Sequence, residues 1–365
     1  QGEVVVGIST GGSSPLLAAG IRRQLQSQMR EDYGRIAAKM SACREQILTE
    51  ETTEAARKQR FKKVLEQNME EQVIRVGTRG SELARIQTDM VIETLRRKHP
   101  EYTYEVVVLS TKGDRQTDRT ISSFGGKAVF VEEFEEALRN GTIDIAVHSA
   151  KDMPNPCGED LTIAGVLKRA CVQDVLIRRR SDAWDPASHA VIGTGSLRRR
   201  YQIQQIYPQA ECRDLRGNIG TRIRKLKEKQ YDAIILAAAG IHRQGLDQDP
   251  ELVYEYLDID QMLPAAGQAV IAVETRQGGP VAALVSDISD RQSERELLAE
   301  REVLSILGAG CHEPVGVLCR TEGEQVRIRL MQVVDGTVRR SEKKGAAGDW
   351  RTIARELAEE KRWSI

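Results

Sequence analysis

The sequence predicts an α/β fold with two similar domains, a small α+β domain after them and a mostly helical segment before them. From residue 73, strand patterns alternate with helical patterns, which is typical of α/β domains with mostly parallel sheets. One pattern, a strand followed by Gly-Thr, Ser and a helix, occurs at Gly77 and again at Gly193. Near the C-terminal end, strand patterns lie between two helical ones, which indicates the α+β domain.

Composition and charge argue against several classes of protein. The 365 residues suffice for two or three domains, and 54 Lys and Arg balance 54 Asp and Glu. A general nucleic-acid-binding protein usually has an excess of basic residues. No apolar run approaches the ~18 residues of a membrane span, and the six cysteines include no Cys-x-x-Cys pair. We therefore expect a cytoplasmic protein without a metal, a membrane span or a nucleic-acid partner.

The region from residue 1 to residue 72 differs from the rest. A short strand over residues 4–8 precedes a Ser- and Gly-rich turn, in which Ser14 is a potential helix cap and Pro15 suits the first helical position. Further helices are predicted from about residue 32 and over residues 53–71, the last with many charges and few apolar residues. The chain starts within a strand and without Met, so we expect that part of this region is missing upstream.

From residue 73, apolar periodicity and capping residues predict the elements. Strands are predicted over residues 74–78, 104–110, 143–148, 161–166, 174–179, 191–194, 211–215 and 232–238, and helices over 81–97 and 131–140. Ser293 is predicted to cap a helix that ends at Leu307, before strands over 315–320, 325–334 and 337–343 and a closing helix. Chance similarity remains the alternative explanation for the repeated strand-turn-helix pattern.

Arginines lie at or near several predicted helix starts: Arg79, Arg198, Arg199, Arg216 and Arg222. A helix N-terminus carries free N–H groups and partial positive charge, so a cation there opposes the helix dipole. Guanidinium groups pair with carboxylate or phosphate through two hydrogen bonds. The repetition therefore predicts a site for an external anion, with a solvated basic face as the alternative.

The segment from His148 to Pro154 follows a predicted strand, at the end where open α/β sheets bind ligands. Lys151 supplies a cation there and Asp152 an acid–base group. The alternative is an ordinary surface ion pair beside a Pro-Asn-Pro turn.

A second candidate segment contains Cys311, which small residues precede and His312 follows. The histidine could lower the pKa of the thiol, as in a nucleophilic pair, although adjacent side chains often point apart. The alternative is a cysteine that serves as a small buried apolar residue.

Taken together and in this order, the segments from residue 73 to the C-terminus resemble the hydroxymethylbilane synthases, also called porphobilinogen deaminases. The matching segments are Val76-Gly77-Thr78-Arg79-Gly80-Ser81-Glu82-Leu83-Ala84 with Gln87, Gly125-Gly126-Lys127 with Phe130-Val131, Ile145-Ala146-Val147-His148-Ser149-Ala150-Lys151-Asp152-Met153-Pro154, Gly193-Thr194-Gly195-Ser196-Leu197-Arg198-Arg199, Asp214-Leu215-Arg216-Gly217-Asn218 with Thr221-Arg222, Ala238-Ala239-Gly240-Ile241-His242-Arg243 and Gly310-Cys311. The chain departs from the family at Ala128-Val129, where Gly-Leu is common, and at Ala309, where Gly is usual. Neither departure removes a chemical group.

The resemblance implies two domains of the type II periplasmic-binding-protein kind, over residues 73–168 with 264–286 and over residues 169–263. It also implies a cofactor-carrying α+β domain over residues 287–365. The implied cofactor is a dipyrromethane held by Cys311 through a thioether. The implied enzyme deaminates four porphobilinogen molecules, joins them head to tail on this primer, and releases linear hydroxymethylbilane by hydrolysis.

The resemblance also implies roles for particular residues. Catalysis falls to Asp152 and Lys151, because the positive charge left on the substrate after loss of ammonia needs a carboxylate nearby. Each pyrrole carries an acetate and a propionate, which the cationic residues would bind. The implied cofactor-binding residues are Cys311, Lys151, Asp152, Ser81, Ser196, Arg198, Arg199 and Arg216. The implied substrate-binding residues are Arg79, Ser81, Gln87, Arg222 and Arg243.

The first 72 residues resemble a different family. Ile8-Ser9-Thr10-Gly11-Gly12-Ser13-Ser14-Pro15 with Ile21-Arg22 is similar to precorrin-2 dehydrogenase of the siroheme-synthase type. The Gly-rich dinucleotide-binding turn of that family is absent from the sequence. We therefore expect a fusion whose N-terminal segment lacks dehydrogenase activity. The synthase part is expected to be monomeric, with any self-association contributed by the N-terminal segment.

Two rival functions share part of this pattern. A non-catalytic anion-binding protein of the periplasmic type would have two similar domains, but it would need neither Asp152 nor Cys311. A nucleic-acid-binding protein would use the arginines, but the balanced charge and 4% aromatic content argue against it.

Overall fold

A computed structural model describes residues 33–69, 73–110, 131–185, 189–310 and 313–360, without the side chains of residues 33–39 and 65–69. The chain divides into two compact units, Gln1–Val73 with Glu101–Thr103, and the remainder. Several predicted features lie outside the described residues: the strand over residues 4–8, the turn at Ser14, the Gly125–Phe130 segment, and Cys311 with His312.

Within residues 33–69, the N-terminal unit forms α1 (Tyr33–Glu50) and α2 (Glu54–Met69), which confirms both predicted helices. The hydroxyl of Thr53 caps α2 by accepting a hydrogen bond from the backbone N of Ala56 at 3.2 Å. Arg60 of α2 pairs with Glu50 at 3.3 Å and with Glu51 at 3.5 Å. Most described residues of α2 are exposed, so the helix has the solvated surface that its composition predicts. Exposed ion pairs of this kind contribute little to stability.

The second unit follows the predicted alternation closely. From residue 73 the elements are β1 (Val73–Arg79), α3 (Glu82–Lys98), β2 (Thr103–Leu109), α4 (Glu132–Arg139), β3 (Ile145–Ser149), β4 (Leu161–Val166), β5 (Asp174–Arg179), β6 (Val191–Gly193), α5 (Leu197–Ile206), β7 (Glu211–Arg213), α6 (Ile219–Lys227), β8 (Ala233–Ala237), α7 (Ala238–Arg243), β9 (Leu252–Tyr256), β10 (Ile271–Arg276), α8 (Pro280–Asp287), α9 (Arg291–Leu307), β11 (Gly316–Glu322), β12 (Gln325–Val334), β13 (Thr337–Ala346) and α10 (Trp350–Glu360).

Two five-stranded sheets have equivalent strand orders. The first sheet is β2-β1-β3-β10-β4 and the second sheet is β7-β6-β8-β5-β9. In the first sheet β10 runs antiparallel to both of its neighbours, and β5 does the same in the second. The expectation of mostly parallel sheets therefore needs a correction at these two strands. The chain enters β5 by a crossing from the first sheet and enters β10 by a crossing from the second, so no βαβ connection leads into either strand.

The repeated strand-turn-helix pattern has the same packing in both sheets. A Cβ on Gly77 would lie 2.5 Å from the Cδ1 of Ile143, and a Cβ on Gly193 would lie 2.7 Å from the Cδ1 of Tyr231. The next residue is a buried threonine in both cases, Thr78 and Thr194. Both glycines thus allow a large neighbouring side chain to pack on the strand, which gives the repetition a structural cause.

The serines that follow these turns cap α3 and α5, as predicted. The Ser81 hydroxyl accepts from the N–H of Ala84 at 3.4 Å, and the Ser196 hydroxyl accepts from that of Arg199 at 3.5 Å. The predicted cap of α9 was wrong. Asp290 caps this helix, because its carboxylate accepts from the N–H of Ser293 at 2.9 Å. The Ser293 hydroxyl instead accepts from the N–H of Arg169 at 2.9 Å.

A third sheet completes the unit, with β11, β12 and β13 paired antiparallel. Helices α9 and α10 pack on it through a core that includes Val303, Val317, Ile328 and Leu357. The α/β class and the small α+β part at the C-terminal end are both confirmed.

Candidate active site

The predicted catalytic pair lies at the carboxyl end of β3, in a 3₁₀ turn over Ala150–Asp152. The turn packs closely against the backbone of Gly267, where a Cβ would lie 3.0 Å from the Lys151 nitrogen. Gly267 also has a φ of +70°, so both its conformation and the space around it favour glycine. The Lys151 side chain is half-buried and the Asp152 side chain is exposed. The packing therefore fixes the backbone of the pair while Asp152 stays accessible to a ligand.

The ends of β1 and β3 bring further predicted residues to the same edge of the first sheet. These strands are parallel, with Gly77 opposite Ala146. Arg79, the last residue of β1, and Ser81, which follows the strand, therefore lie at the end of the sheet where Lys151 follows β3. Both side chains are half-buried. The structure thus brings two segments predicted from sequence to one end of one sheet.

Gln87, predicted to bind substrate, is buried and has a partner inside the protein. Its side-chain amide donates to the hydroxyl of Ser149 at 3.0 Å, and that hydroxyl lies 3.2 Å from the amide oxygen. Gln87 therefore ties helix α3 to the last residue of β3, immediately before the turn that carries the predicted catalytic pair.

Arg198 and Arg199 are buried in the first turn of α5, and both pair with the buried carboxylate of Asp174. The shortest nitrogen–oxygen distances are 2.8 Å to Arg198 and 2.7 Å to Arg199. Burial alone would raise the pKa of Asp174, but the two guanidinium charges hold it well below its usual range. Neither arginine lies on a solvated face, and the structure gives both an internal counter-ion.

The turn after β3 lies within electrostatic reach of these arginines. Burial lowers the pKa of Lys151; the charge of Asp152 opposes this shift, and that of Arg199 adds to it. Burial, with the nearby charge of Arg199, also lowers the pKa of Arg222 to about 10, against the charge of Asp152. The structure therefore brings the predicted catalytic pair together with arginines of the second sheet.

The other predicted residues lie around this group. Arg216 is half-buried, 3.7 Å from Asp214. Arg243, at the end of α7, donates to the carbonyl of Ala269 at 2.8 Å, and burial lowers its pKa to about 10. The structure shows no electrostatic interaction that would link Arg243 directly to Asp152 among the described residues. Its proximity to the catalytic turn therefore stays a prediction.

A cavity of about 500 Å³ extends from this turn toward the cysteine loop. Its wall includes Lys151, Cys157, Arg301, Ala309 and Gly310. This volume falls in the range of small-molecule sites. Cys311 lies outside the described residues, but Gly310, the residue before it, is in the cavity wall. The cavity thus connects the two sequence segments that carry the predicted chemistry.

Comparison with known proteins identifies the family. The family model "Porphobilinogen deaminase, dipyromethane cofactor binding domain" matches residues 74–282. The chain belongs to the porphobilinogen deaminase family. Porphobilinogen deaminase of Roseiflexus castenholzii is 41% identical over 288 residues, which cover 78% of this chain and 94% of that protein. The protein of the same name from Lachnospira eligens is 44% identical over 252 residues, 68% of this chain and 84% of that one.

Solved structures show only a distant likeness. The VFT2 domain of Bordetella pertussis BvgS is 18% identical, with a TM-score of 0.38, over 59% of this chain and 86% of that domain. The fold class is instead established by the family and by the strand order of the two sheets, which have the type II periplasmic-binding-protein architecture that the sequence predicts. The family match begins at residue 74, so the similarity of the first 72 residues to precorrin-2 dehydrogenase stays a prediction.

The residues at the site suit a dipyrromethane, the cofactor of this family's matched domain. A bipyrrole with acetate and propionate side chains needs several cations, and Lys151, Arg198, Arg199 and Arg222 interact with one another there. Across the described residues, no group of three or more His, Cys, Asp or Glu side chains could hold a metal ion, and no helix could span a membrane.

Sequence reasoning missed Asp174 and Gln268, which are both fully buried. Asp174 pairs with both arginines, and Gln268 donates a hydrogen bond to Asp174. Asp174 opens a predicted strand, so only its charge directly before the apolar run Val175–Ile177 hinted at a special role. Gln268 carries no local signal at all.

Proposed function

We propose that this member of the porphobilinogen deaminase family uses Asp152 and Lys151 as catalytic residues and Cys311 as the attachment point of its primer. The enzyme is a transferase of tetrapyrrole biosynthesis, and its cofactor is dipyrromethane. It joins four porphobilinogen molecules head to tail and releases linear hydroxymethylbilane. The observation that carries the residue assignment is that Asp152 interacts electrostatically with Lys151 and Arg222, while Lys151 lies in the wall of a cavity that reaches Gly310.

Asp152 supplies the negative charge that the reaction needs. The protonated amino group of the aminomethyl arm of porphobilinogen leaves as ammonia. Its carbon–nitrogen bond breaks, and the methylene carbon stays on the ring as part of a positively charged azafulvene. A carboxylate near the pyrrole nitrogen stabilises this cation as it forms. Asp152 is exposed, so a substrate ring can reach its carboxylate, while the packing of Gly267 fixes its backbone. Lys151 lies beside it and pairs with a carboxylate of the ring.

The remaining cations bind the acids that accumulate as the chain grows. We assign Ser81, Ser196, Arg198, Arg199 and Arg216 to the cofactor, and Arg79, Gln87, Arg222 and Arg243 to the substrate and the growing chain. Hydrogen bonds between guanidinium and carboxylate are stronger than neutral ones and fix orientation. Half-burial of Arg222 and Arg243 strengthens such bonds further, because less water competes for them.

The domain division that we propose follows the sheets: residues 73–168 with 264–286, residues 169–263, and residues 287–365. We further propose a cytoplasmic enzyme whose synthase part is monomeric, with any self-association residing in residues 1–72. The rival non-catalytic anion-binding protein is not supported, because the chain belongs to an enzyme family.

Intact-mass measurement and peptide mapping test the assignment of Cys311. We expect one bipyrrole adduct per chain, located on the peptide that contains Cys311. The Cys311→Ser variant should lack both the adduct and the activity, because a hydroxyl forms no thioether.

Cys212→Ser serves as the control, since Cys212 is half-buried against the core of the second sheet and should retain the adduct. An adduct on buried Cys319, or on no cysteine, would contradict the assignment. Burial raises the pKa of Cys319 far above its usual range, so its thiol should stay unreactive.

A further inference from the structure

Asp174 is a fully buried carboxylate at the first residue of β5. Its Oδ1 accepts hydrogen bonds from Arg199 Nε at 3.1 Å, from Arg199 Nη2 at 2.7 Å and from Gln268 Nε2 at 3.0 Å. Its Oδ2 lies 2.8 Å from Arg198 Nη2. One carboxylate is thus the common partner of two arginines and one amide.

Each of these partners has a second anchor on the backbone. Arg198 donates to the carbonyl of Leu263 at 2.7 Å, and Arg199 donates to that of Ile235 at 3.1 Å. Gln268 donates to the carbonyl of Val172 at 2.6 Å. With two anchors each, the guanidinium groups have little freedom to rotate away from the site.

The network lies where the chain crosses between the two sheets. Val172 belongs to the segment that leaves the first sheet, and Gln268 belongs to the segment that returns to it. Gln268 directly follows Gly267, whose backbone packs on the catalytic turn at Lys151. A short path of contacts therefore connects Asp174 to both the arginines and the catalytic turn.

The charges in this network do not cancel. Two guanidinium cations share one carboxylate, and Lys151 adds a further cation nearby. Within the described part of the chain, the Nε of Arg198 is buried without a hydrogen-bond partner. A buried cation that lacks full compensation favours the arrival of an anion, such as a pyrrole carboxylate.

We infer that Asp174 is a positioning residue, which holds Arg198 and Arg199 in place for the carboxylates of the pyrrole chain, and that Gln268 couples this pair to the catalytic turn. Asp174 itself touches no ligand. The inference rests on the proposed function, since it assumes that Arg198 and Arg199 bind cofactor or substrate.

The first sheet offers a matched control in Asp144, which also bridges two arginines. Its carboxylate lies 3.0 Å from Arg75 Nε and 3.4 Å from Arg276 Nη2. Asp144 precedes the first residue of β3, whereas the catalytic turn follows the last. Replacing Asp144 therefore breaks a comparable ion pair in the same sheet, but at the opposite end of β3 from the catalytic turn.

The test compares Asp174→Asn with Asp144→Asn in the full chain. The thermal midpoint, the fraction of chains that carry the bipyrrole mass, KM and kcat are measured for each. Both variants should lose thermal stability. Only Asp174→Asn should lower the cofactor-carrying fraction or raise KM, by about tenfold or more, because only its arginines face the ligand. Asp144→Asn should keep the cofactor fraction and KM within about twofold of wild type.

A purely structural role for Asp174 predicts a different result. A folded Asp174→Asn protein with wild-type KM and cofactor content would overturn the inference, and so would an equal rise in KM for Asp144→Asn. If Asp174→Asn does not fold, Gln268→Met decides the question. This variant keeps the volume of the side chain but removes its hydrogen bonds, so it should raise KM severalfold, and an unchanged KM would reject the inference. A wild-type chain without bipyrrole mass or deaminase activity would instead reject the proposed function.

Discussion

The two five-stranded sheets have equivalent strand orders, but the acidic residue that we single out in each is exposed in the first sheet and buried in the second. In the first sheet, the end of β3 leads directly to Lys151 and the exposed Asp152. In the second sheet, the turn after β6 leads to α5 with its buried arginines, and Asp174 pairs with them. The acid of the first sheet is exposed, whereas the acid of the second is buried and paired with two arginines. The same fold thus carries an exposed acid after a strand of one sheet and, in the other, buried cations that an internal acid holds.

The largest expected effect concerns the acid of the first sheet. Asp152→Asn keeps the shape of the side chain but removes its charge, so turnover should fall by at least ~100-fold. Asp152→Glu, which retains the charge but displaces it, should keep a little activity. Both variants should fold, because Asp152 is exposed. Steady-state kinetics on the purified proteins measures the effect.

Asp160→Asn provides a control on the same sheet, because Asp160 is exposed and pairs with Arg139 at 3.0 Å, away from the turn. It should retain wild-type turnover. If Asn at position 152 works as well as Glu, the charge of Asp152 takes no part in the chemistry, and the contrast between the sheets fails.

A smaller effect is expected from the cations of the second sheet. Arg222→Ala or Arg243→Ala should lower turnover about tenfold and stall elongation, because one bond to a charged group contributes about 1.5–3 kcal/mol. Mass spectrometry of the enzyme during turnover should show shortened chains bound to the protein.

Arg224→Ala is the matched control on α6, since Arg224 is exposed and pairs with Glu228 at 3.0 Å. It should elongate normally. Wild-type elongation by both Arg222→Ala and Arg243→Ala would mean that the half-buried cations of the second sheet do not contact the growing chain.

The smallest effect is expected from the N-terminal unit, because the residues that we assign to the reaction all belong to the other compact unit. Deletion of residues 1–72 should leave deaminase activity within about twofold of wild type, and the full chain should not bind NAD. Activity assays, with circular dichroism as the check of folding, measure the first point. A large loss of turnover in a folded truncated protein would show that the two sheets do not suffice for the reaction.

Local pattern accounts for most of the secondary structure. Strands β4 and β5 begin and end at the predicted residues, and Ser81 and Ser196 cap their helices as expected. These features depend on periodicity and on hydrogen bonds between residues three positions apart, which a sequence displays directly. The cap of α9 was wrong because Asp290 and Ser293 are both suitable caps, and only the backbone path decides between them.

The sequence alone determined the family, the α/β class and the segments that carry Asp152, Lys151 and Cys311, because these depend on ordered local motifs. Only the tertiary structure decided how the arginines are held. Arg199 meets its counter-ion Asp174 from 25 positions away, and Gln268 reaches the same carboxylate from 94 positions away. Arg199 meets Asp174 within the second sheet, whereas Gln268 lies on the segment that returns to the first sheet. Strands β5 and β10 are the first strands after the two crossings. A buried charge must find its partner in space, and no local period records where that partner lies.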